Sequence, residues 1–163
     1  LYDNETGGNN VAVGHYALEN NTTNNNVAIG YYALKANTTG SWNTAVGSYS
    51  LDANTTGQTN CALGYATLGA NTGGNDNIAI GHEAMETNTT GARNVAIGRD
   101  ALEQNNANEN VAIGYLAMED NTTGTRNVSV GTYALYNNTT NNDNTAVGYY
   151  ALATSNGGMR ILL

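Results

Sequence analysis

Apolar and polar residues alternate along this chain in a frame that repeats nine times. The string Asn-x-Ala-(Val/Ile/Leu)-Gly begins at Asn10, Asn26, Asn43, Asn60, Asn77, Asn94, Asn110, Asn127 and Asn144, with Ser129 in place of one Ala. Successive starts lie 16 or 17 residues apart, the shorter units being those that begin at Asn10 and Asn94. Counting each unit from its Asn as position 1, position 4 is always aliphatic: Val13, Ile29, Val46, Leu63, Ile80, Ile97, Ile113, Val130 and Val147. Position 9 is always Leu or Met: Leu18, Leu34, Leu51, Leu68, Met85, Leu102, Met118, Leu135 and Leu152. Positions 3 and 8 are mostly Ala, with Ser50, Thr67 and Ser129 among the departures, and position 2 is Val or Ile except at Thr44, Cys61 and Thr145.

Positions 2 to 4 have the period of a strand, because successive side chains of an extended segment point to opposite faces. The larger residues at positions 2 and 4 are expected to face inward with Leu or Met of position 9, as the core ladder, leaving Ala on the other face. Gly fills position 5 in all nine units, from Gly14 to Gly148, which marks a turn with positive φ or no room for a Cβ. Positions 7 to 9, such as Tyr32-Ala33-Leu34, predict a second short extended segment, with a single helical turn as the competing reading. Asn-Thr-Thr-Gly, as at Asn37 to Gly40, closes the unit. Its Asn is expected to make an Asx-turn, and its last residue, Gly or an Asn such as Asn24, Asn108 or Asn141, to take the left-handed conformation.

Short strands separated by turns at a fixed period predict an all-β fold, a parallel β-solenoid or β-roll of about nine 16–17-residue coils. At about 4.8 Å per coil the rod is roughly 43 Å long, with like side chains stacked in ladders. Residues 1–9 read as a partial N-terminal repeat, 10–152 as the repeat domain and 153–163 as a C-terminal cap or junction. Three inward side chains per coil is little burial for 16 or 17 ordered residues. The Ala stripes would let another backbone approach. Together these point to lateral association, a homotrimer being the expected state and a monomeric solenoid the alternative.

Composition narrows the function. The 163 residues include 20 Gly, 11 Tyr, no Pro and no Phe, and only 11 % are charged. The net charge of −8, with five scattered basic residues, excludes a phosphate-tracking surface, so no nucleic acid is expected as partner. No apolar run approaches the roughly 20 residues of a membrane span, so no membrane insertion is expected. The single cysteine, Cys61, makes an intrachain disulfide impossible and reads as a small buried hydrophobe.

The unit resembles the head repeats of trimeric autotransporter adhesins, the YadA-like left-handed parallel β-roll, through Val27-Ala28-Ile29-Gly30, Val95 to Gly98 and Val111 to Gly114. It is also similar to repeats of phage tail fibres and related bacterial surface proteins, through Tyr31 to Leu34 followed by Asn37 to Gly40. Adhesin head repeats are about 14 residues long, and here the second turn is longer. The resemblance spans about Asn10 to Leu152. It implies a left-handed trimeric segment, extracellular, at a cell surface or on a virion, acting as a stalk or receptor-binding head.

Candidate chemistry is sparse. His15 and His82 share position 6 but lie four coils apart, too far to share a metal. Carboxylates gather at positions 10 and 11 (Glu19, Asp52, Glu86, Glu103, Glu119, Asp120) and read as a solvated face. No cofactor is expected, weak Ca²⁺ binding by Asn and Asp ladders being the minor alternative. The triplets at Asn37, Asn54, Asn88 and Asn121 match a glycosylation acceptor but serve first as turns. No nucleophile elbow, phosphate loop or catalytic dyad is present in the sequence, and an enzyme is the least favoured class. Tyr16, Tyr31, Tyr32, Tyr49, Tyr65, Tyr115, Tyr133, Tyr149 and Tyr150, with Trp42, form the candidate surface for ligand or inter-chain contact. The expected function is a structural or adhesive fibre segment that meets itself and a cell-surface glycan or protein receptor. The alternatives are a subunit of a self-assembling extracellular filament and an ice-binding solenoid carrying a Thr ladder (Thr22, Thr38, Thr55, Thr89, Thr122, Thr139).

Overall fold

The computed structural model describes residues 6–154 and 161–162, and every regular element among them is a β-strand. The strands are β1 (Val11–Val13), β2 (Val27–Ile29), β3 (Thr44–Val46), β4 (Cys61–Leu63), β5 (Ile78–Ile80), β6 (Val95–Ile97), β7 (Val111–Ile113), β8 (Val128–Val130), β9 (Thr145–Val147) and β10 (Ile161–Leu162). They form one parallel sheet in strict chain order, and position 2 pairs with position 2 of the next coil throughout β1 to β9. The protein is a parallel β-solenoid whose coils stack in register. No helix among the described residues is long and apolar enough to cross a membrane.

Each coil has one strand, not two. Positions 7 to 9 are neither extended nor helical: they form consecutive turns in which positions 7 and 9 both have φ between 50 and 62°. The residue before each Asn is left-handed too, from Asn9 to Asp143. A left-handed L-residue costs about 1–2 kcal/mol. It persists here because the reversal turns the backbone N–H groups alternately toward the coils above and below. Tyr32 N–H donates to His15 O of the preceding coil, and Leu34 N–H donates to Ser50 O of the following one, both at 3.0 Å. Backbone that would otherwise be unpaired is thus bonded from coil to coil.

The inside of the coil corrects the expected core. Leu34 is fully buried, and so are its equivalents from Leu18 to Leu135, but Val13 is 57 % and Ile29 39 % exposed. Val13, Ile29, Leu63, Ile113 and Val147 are exposed, and Val46, Ile80, Ile97 and Val130 are only half-buried. Position 4 and position 2 face outward, and Ala at position 3 faces in: Ala28, Ala45, Ala62, Ala79, Ala96, Ala112 and Ala146 have no exposed surface. The lumen of a 16–17-residue coil is narrow, and Ala at positions 3 and 8 with Leu or Met at position 9 fills it. Cys61, at position 2, is accordingly half-buried on the outer face, not in the core. Where a hydroxyl replaces Ala it finds a partner: Thr67 Oγ1 donates to Gly81 O at 2.6 Å and Ser129 Oγ to Ala134 O at 2.7 Å.

Two columns of buried Asn complete the interior. At position 1, the Oδ1 of one Asn accepts from the backbone N–H of the next, as Asn60 N–H to Asn43 Oδ1 at 3.0 Å, while its Nδ2 donates to the Gly carbonyl that closes its own coil, as Asn43 to Gly57 O at 2.8 Å. At position 12, Asn54 Nδ2 donates to Asn37 Oδ1 at 2.8 Å and to Gly57 O at 3.1 Å. This is a donor bond to the turn's carbonyl plus a ladder, not an Asx-turn. A buried amide left unpaired is costly, so the columns specify both register and coil closure.

Two glycine positions are fixed for different reasons. At position 5 φ is 125–141°, and a Cβ on Gly47 would overlap the Gly64 carbonyl of the next coil. The Gly that ends Asn-Thr-Thr-Gly is not left-handed; a Cβ on Gly40 would overlap the Gly57 carbonyl and lie 2.9 Å from Asn54 Nδ2. In the two shorter coils the missing residue falls in this turn, so Thr23 and Ala107, not Asn24 and Asn108, supply the carbonyl that comes from Gly in most full-length coils and from Asn141 in the coil starting at Asn127. The Asn ladder breaks at the second of these steps, leaving Asn88 Oδ1 without a partner. Asn106 repairs the neighbouring bonds: its Oδ1 lies 3.0 Å from Thr90 N and 3.3 Å from both Thr89 N and Gly91 N, standing in for a backbone carbonyl.

Both ends continue the pattern. Thr6 Oγ1 donates to Thr22 O at 3.1 Å and Asn25 N–H to Gly8 O at 3.1 Å, as one coil does to the next. Strand β10 pairs parallel with β9, Ile161 opposite Thr145 and Leu162 opposite Ala146. The rest of 1–5 and 155–160, with Leu163, lies outside the described residues.

Candidate functional site

Positions 6 and 7 lie just after the Gly turn, and most of the Tyr side chains they carry are exposed. Stacking then converts the repeat into a ladder of rings. His15 and Tyr31 stack at 5.8 Å with planes 4° apart, Tyr32 and Tyr49 at 5.6 Å, and Tyr65 and His82 at 5.1 Å. Tyr16 joins through Tyr32 at 5.1 Å, and Lys35 Nζ sits 4.2 Å from the centre of the Tyr32 ring. A second cluster joins Tyr115, Tyr133, Tyr149 and Tyr150, with Tyr133 and Tyr150 at 4.7 Å. Trp42 stands apart from both clusters, 60 % exposed beside the strand entry.

Tyr136, which the repeat pattern did not single out, belongs to the second cluster at 5.5 Å from Tyr133. A hydrogen bond to Glu119, then burial, pushes its hydroxyl pKa up to about 12. Sequence periodicity missed it because position 10 is usually acidic, and only the coil-to-coil stack brings Tyr136 beside Glu119.

Between Tyr49 and Glu86 the ladder opens into a groove of about 540 Å³, lined by Tyr49, Asp52, Tyr65, Ala66, Gly69, Ala70, Glu86 and Thr87. Its origin is local. The coil starting at Asn60 carries Ala66 at position 7, where Tyr49 stands one coil earlier, and Gly69 at position 10, between Asp52 and Glu86. Two small residues in one coil leave the neighbours' rings and carboxylates as walls. Burial raises the Asp52 pKa, opposed by bonds from its own N–H and that of Ala53 and by Lys35. Burial also raises that of Glu86, helped by the charges of Glu83 and Asp100. Tyr faces flanked by carboxylate acceptors suit a sugar ring, whose apolar face stacks and whose hydroxyls donate.

The carboxylates at positions 10 and 11 are not a freely solvated face: Glu19, Asp52, Glu86, Glu103, Glu119 and Asp120 are all half-buried against neighbouring coils. The side chains of Asn37, Asn54, Asn88 and Asn121 are buried and their Nδ2 groups donate inward, so the folded chain presents no glycosylation acceptor at these sites. Thr22, Thr38, Thr55 and Thr122 donate their hydroxyls to the next coil's carbonyl at 2.8–3.0 Å, and Thr89 to Asn106 Oδ1 at 3.0 Å. The Thr ladder is therefore a stacking device. No protein-family model, curated protein or solved structure matches the chain.

Proposed function

We propose that the chain is a structural and adhesive fibre segment, self-associating along its sheet face and meeting a surface glycan or protein receptor through its aromatic stripe. The observation that carries the reading is the outer face of β1 to β9. Positions 2 and 4 put a continuous column of Val, Ile, Leu, Thr and Cys on one exposed surface, without a charge, on a chain of net charge −8. Monomeric soluble proteins rarely expose such a patch. Burying a half-exposed Val or Ile contributes about 1 kcal/mol, and the column offers one or two per coil over the length of the rod. A second and third copy of this chain fit it best, because the same spacing repeats on every copy; three copies is the number the adhesin resemblance implies. An extracellular, cell-surface or virion setting accords with that role.

Light scattering coupled to size-exclusion chromatography tests self-association. A three-chain particle is expected, and an Ile29→Thr/Ile80→Thr/Ile113→Thr variant is expected to be a folded monomer, since Thr already occupies the strand at Thr44 and Thr145. A wild-type monomer at all concentrations would overturn the reading. Open-ended growth favours the filament, and a monomer with thermal hysteresis the ice-binding solenoid. A glycan array with Tyr49→Ala and Tyr65→Ala variants then tests the groove.

A further inference from the structure

The aromatic ladder is interrupted on one side of the groove by charged residues. Position 7 carries Glu83 in one coil and Asp100 in the next, and position 6 beside Glu83 is His82. Asp100 N–H donates to His82 O at 3.0 Å, which fixes the two coils at this point. Both acidic residues have φ of 56°, so their side chains leave the backbone in the same direction, one above the other. Like charges stacked in this way repel. One ligand atom each from His82, Glu83 and Asp100 lies within 4.8 Å of the others, and His82 Nδ1 is 3.2 Å from Glu83 Oε2.

A second observation is independent of that clustering. Asp100 is only 7 % exposed, and its Oδ1 is buried without a hydrogen-bond partner. Its Oδ2 is taken by Arg99 Nε at 3.0 Å. A buried unpaired carboxylate oxygen is costly, and a bound cation is one of the few things that relieve it. Oδ1 is the carboxylate oxygen without a hydrogen-bond partner.

We propose that His82, Glu83 and Asp100 form a divalent-cation site that clasps two adjacent coils. The donor set, one imidazole nitrogen and two carboxylate oxygens, suits a borderline ion such as Zn²⁺, Ni²⁺ or Co²⁺ more than Ca²⁺, which takes six to eight oxygens. Donors held about 2.0–2.2 Å from a tetrahedral ion are about 3.4 Å apart, close to the spacing of His82 Nδ1 and Glu83 Oε2. His82 and Glu83 are the more exposed partners and have room to close on an ion, with water at the remaining position. Nothing in the ladder elsewhere repeats the arrangement: His15, at the same position of its coil, is followed by Tyr16 and not by an acid.

The test is isothermal titration of the folded chain with Zn²⁺ alone, with Ca²⁺ as a parallel arm. One Zn²⁺ per chain is expected, bound at least tenfold more weakly by His82→Ala and by Asp100→Asn, since even an outer-shell change costs a metal site about 10–100-fold. His15→Ala is the matched control and is expected to bind as wild type. His82 is exposed, so its variant folds whatever its role, and circular dichroism checks this. Absence of a one-to-one Zn²⁺ event overturns the proposal. So does equal loss in His15→Ala, or Ca²⁺ binding as tight as Zn²⁺ and unaffected by His82→Ala.

Discussion

Removing one Asn from the position-1 column isolates what holds the coils in register. Asn77 has no exposed surface; its Oδ1 accepts from Asn94 N–H at 3.0 Å and Asn94 Nδ2 at 3.2 Å, and its Nδ2 donates to Gly91 O at 2.8 Å. In Asn77→Ala, Gly91 O keeps its bond from Asn88 Nδ2, and Asn94 Nδ2 keeps Ala107 O. The buried Asn94 N–H keeps nothing. That orphan costs about 1–3 kcal/mol and the two weakened groups about 1 kcal/mol more. The expected loss is about 3 kcal/mol, a large share of the stability of a small domain. The comparison is Ile78→Thr, one residue on but on the outer face, with an expected cost below about 1 kcal/mol. Both are placed in the Ile29→Thr/Ile80→Thr/Ile113→Thr background, so that assembly does not contribute. Urea unfolding followed by circular dichroism and by Tyr fluorescence gives the two values, provided the probes coincide. Hydrogen exchange at Asn94 gives a local check. A cost for Asn77→Ala below that for Ile78→Thr would refute the assignment of interior and exterior.

Three further outcomes follow from the same geometry. Gly64→Ala combines φ of +141° with a Cβ that would overlap the Gly81 carbonyl and lie 2.7 Å from Thr67 Oγ1; a loss of about 3 kcal/mol is expected, read as the urea midpoint. Asn106→Ala removes the oxygen shared by Thr89, Thr90 and Gly91 N–H; because water reaches this exposed turn, about 1 kcal/mol is expected, with faster exchange at those three amides. Asp52 has a folded pKa raised above 3.8 by burial, so its contribution is fully favourable below that value and is lost as pH rises through the folded pKa. Asp52→Asn is therefore expected to be more stable than wild type at neutral pH, with the gap closing on acidification. A gap that widens in acid would show the opposite shift.

The parallel stack was legible because the frame from Asn10 to Asn144 never breaks and its Gly never varies, and a solenoid needs little more than a repeated closure. The facing of the strand was not legible from size and apolarity. Alternation at Val27-Ala28-Ile29 separates two faces without saying which is inside, and size alone points to the larger pair, which the structure places outside. The signal that decides it is tolerance: position 2 accepts Thr44, Cys61 and Thr145, and position 4 accepts Val, Ile or Leu, as a wet surface does, whereas position 3 accepts only Ala and Ser129. The Tyr stripe was visible as a column. The groove was visible only as Ala66 and Gly69 falling out of pattern, and the pairing of Asp100 with His82 not at all, because they are 18 residues apart.

By itself the sequence determined the period, the strand at positions 2 to 4, the Gly turn and the stacking of like on like, since these depend on local backbone geometry repeated without error. Only the tertiary structure decided that Ala and Asn line the lumen and that Val and Ile coat the outside. The width of the coil sets that choice: a chain of alternating left- and right-handed turns closes too tightly for two branched side chains per strand, and closure is a property of the whole coil.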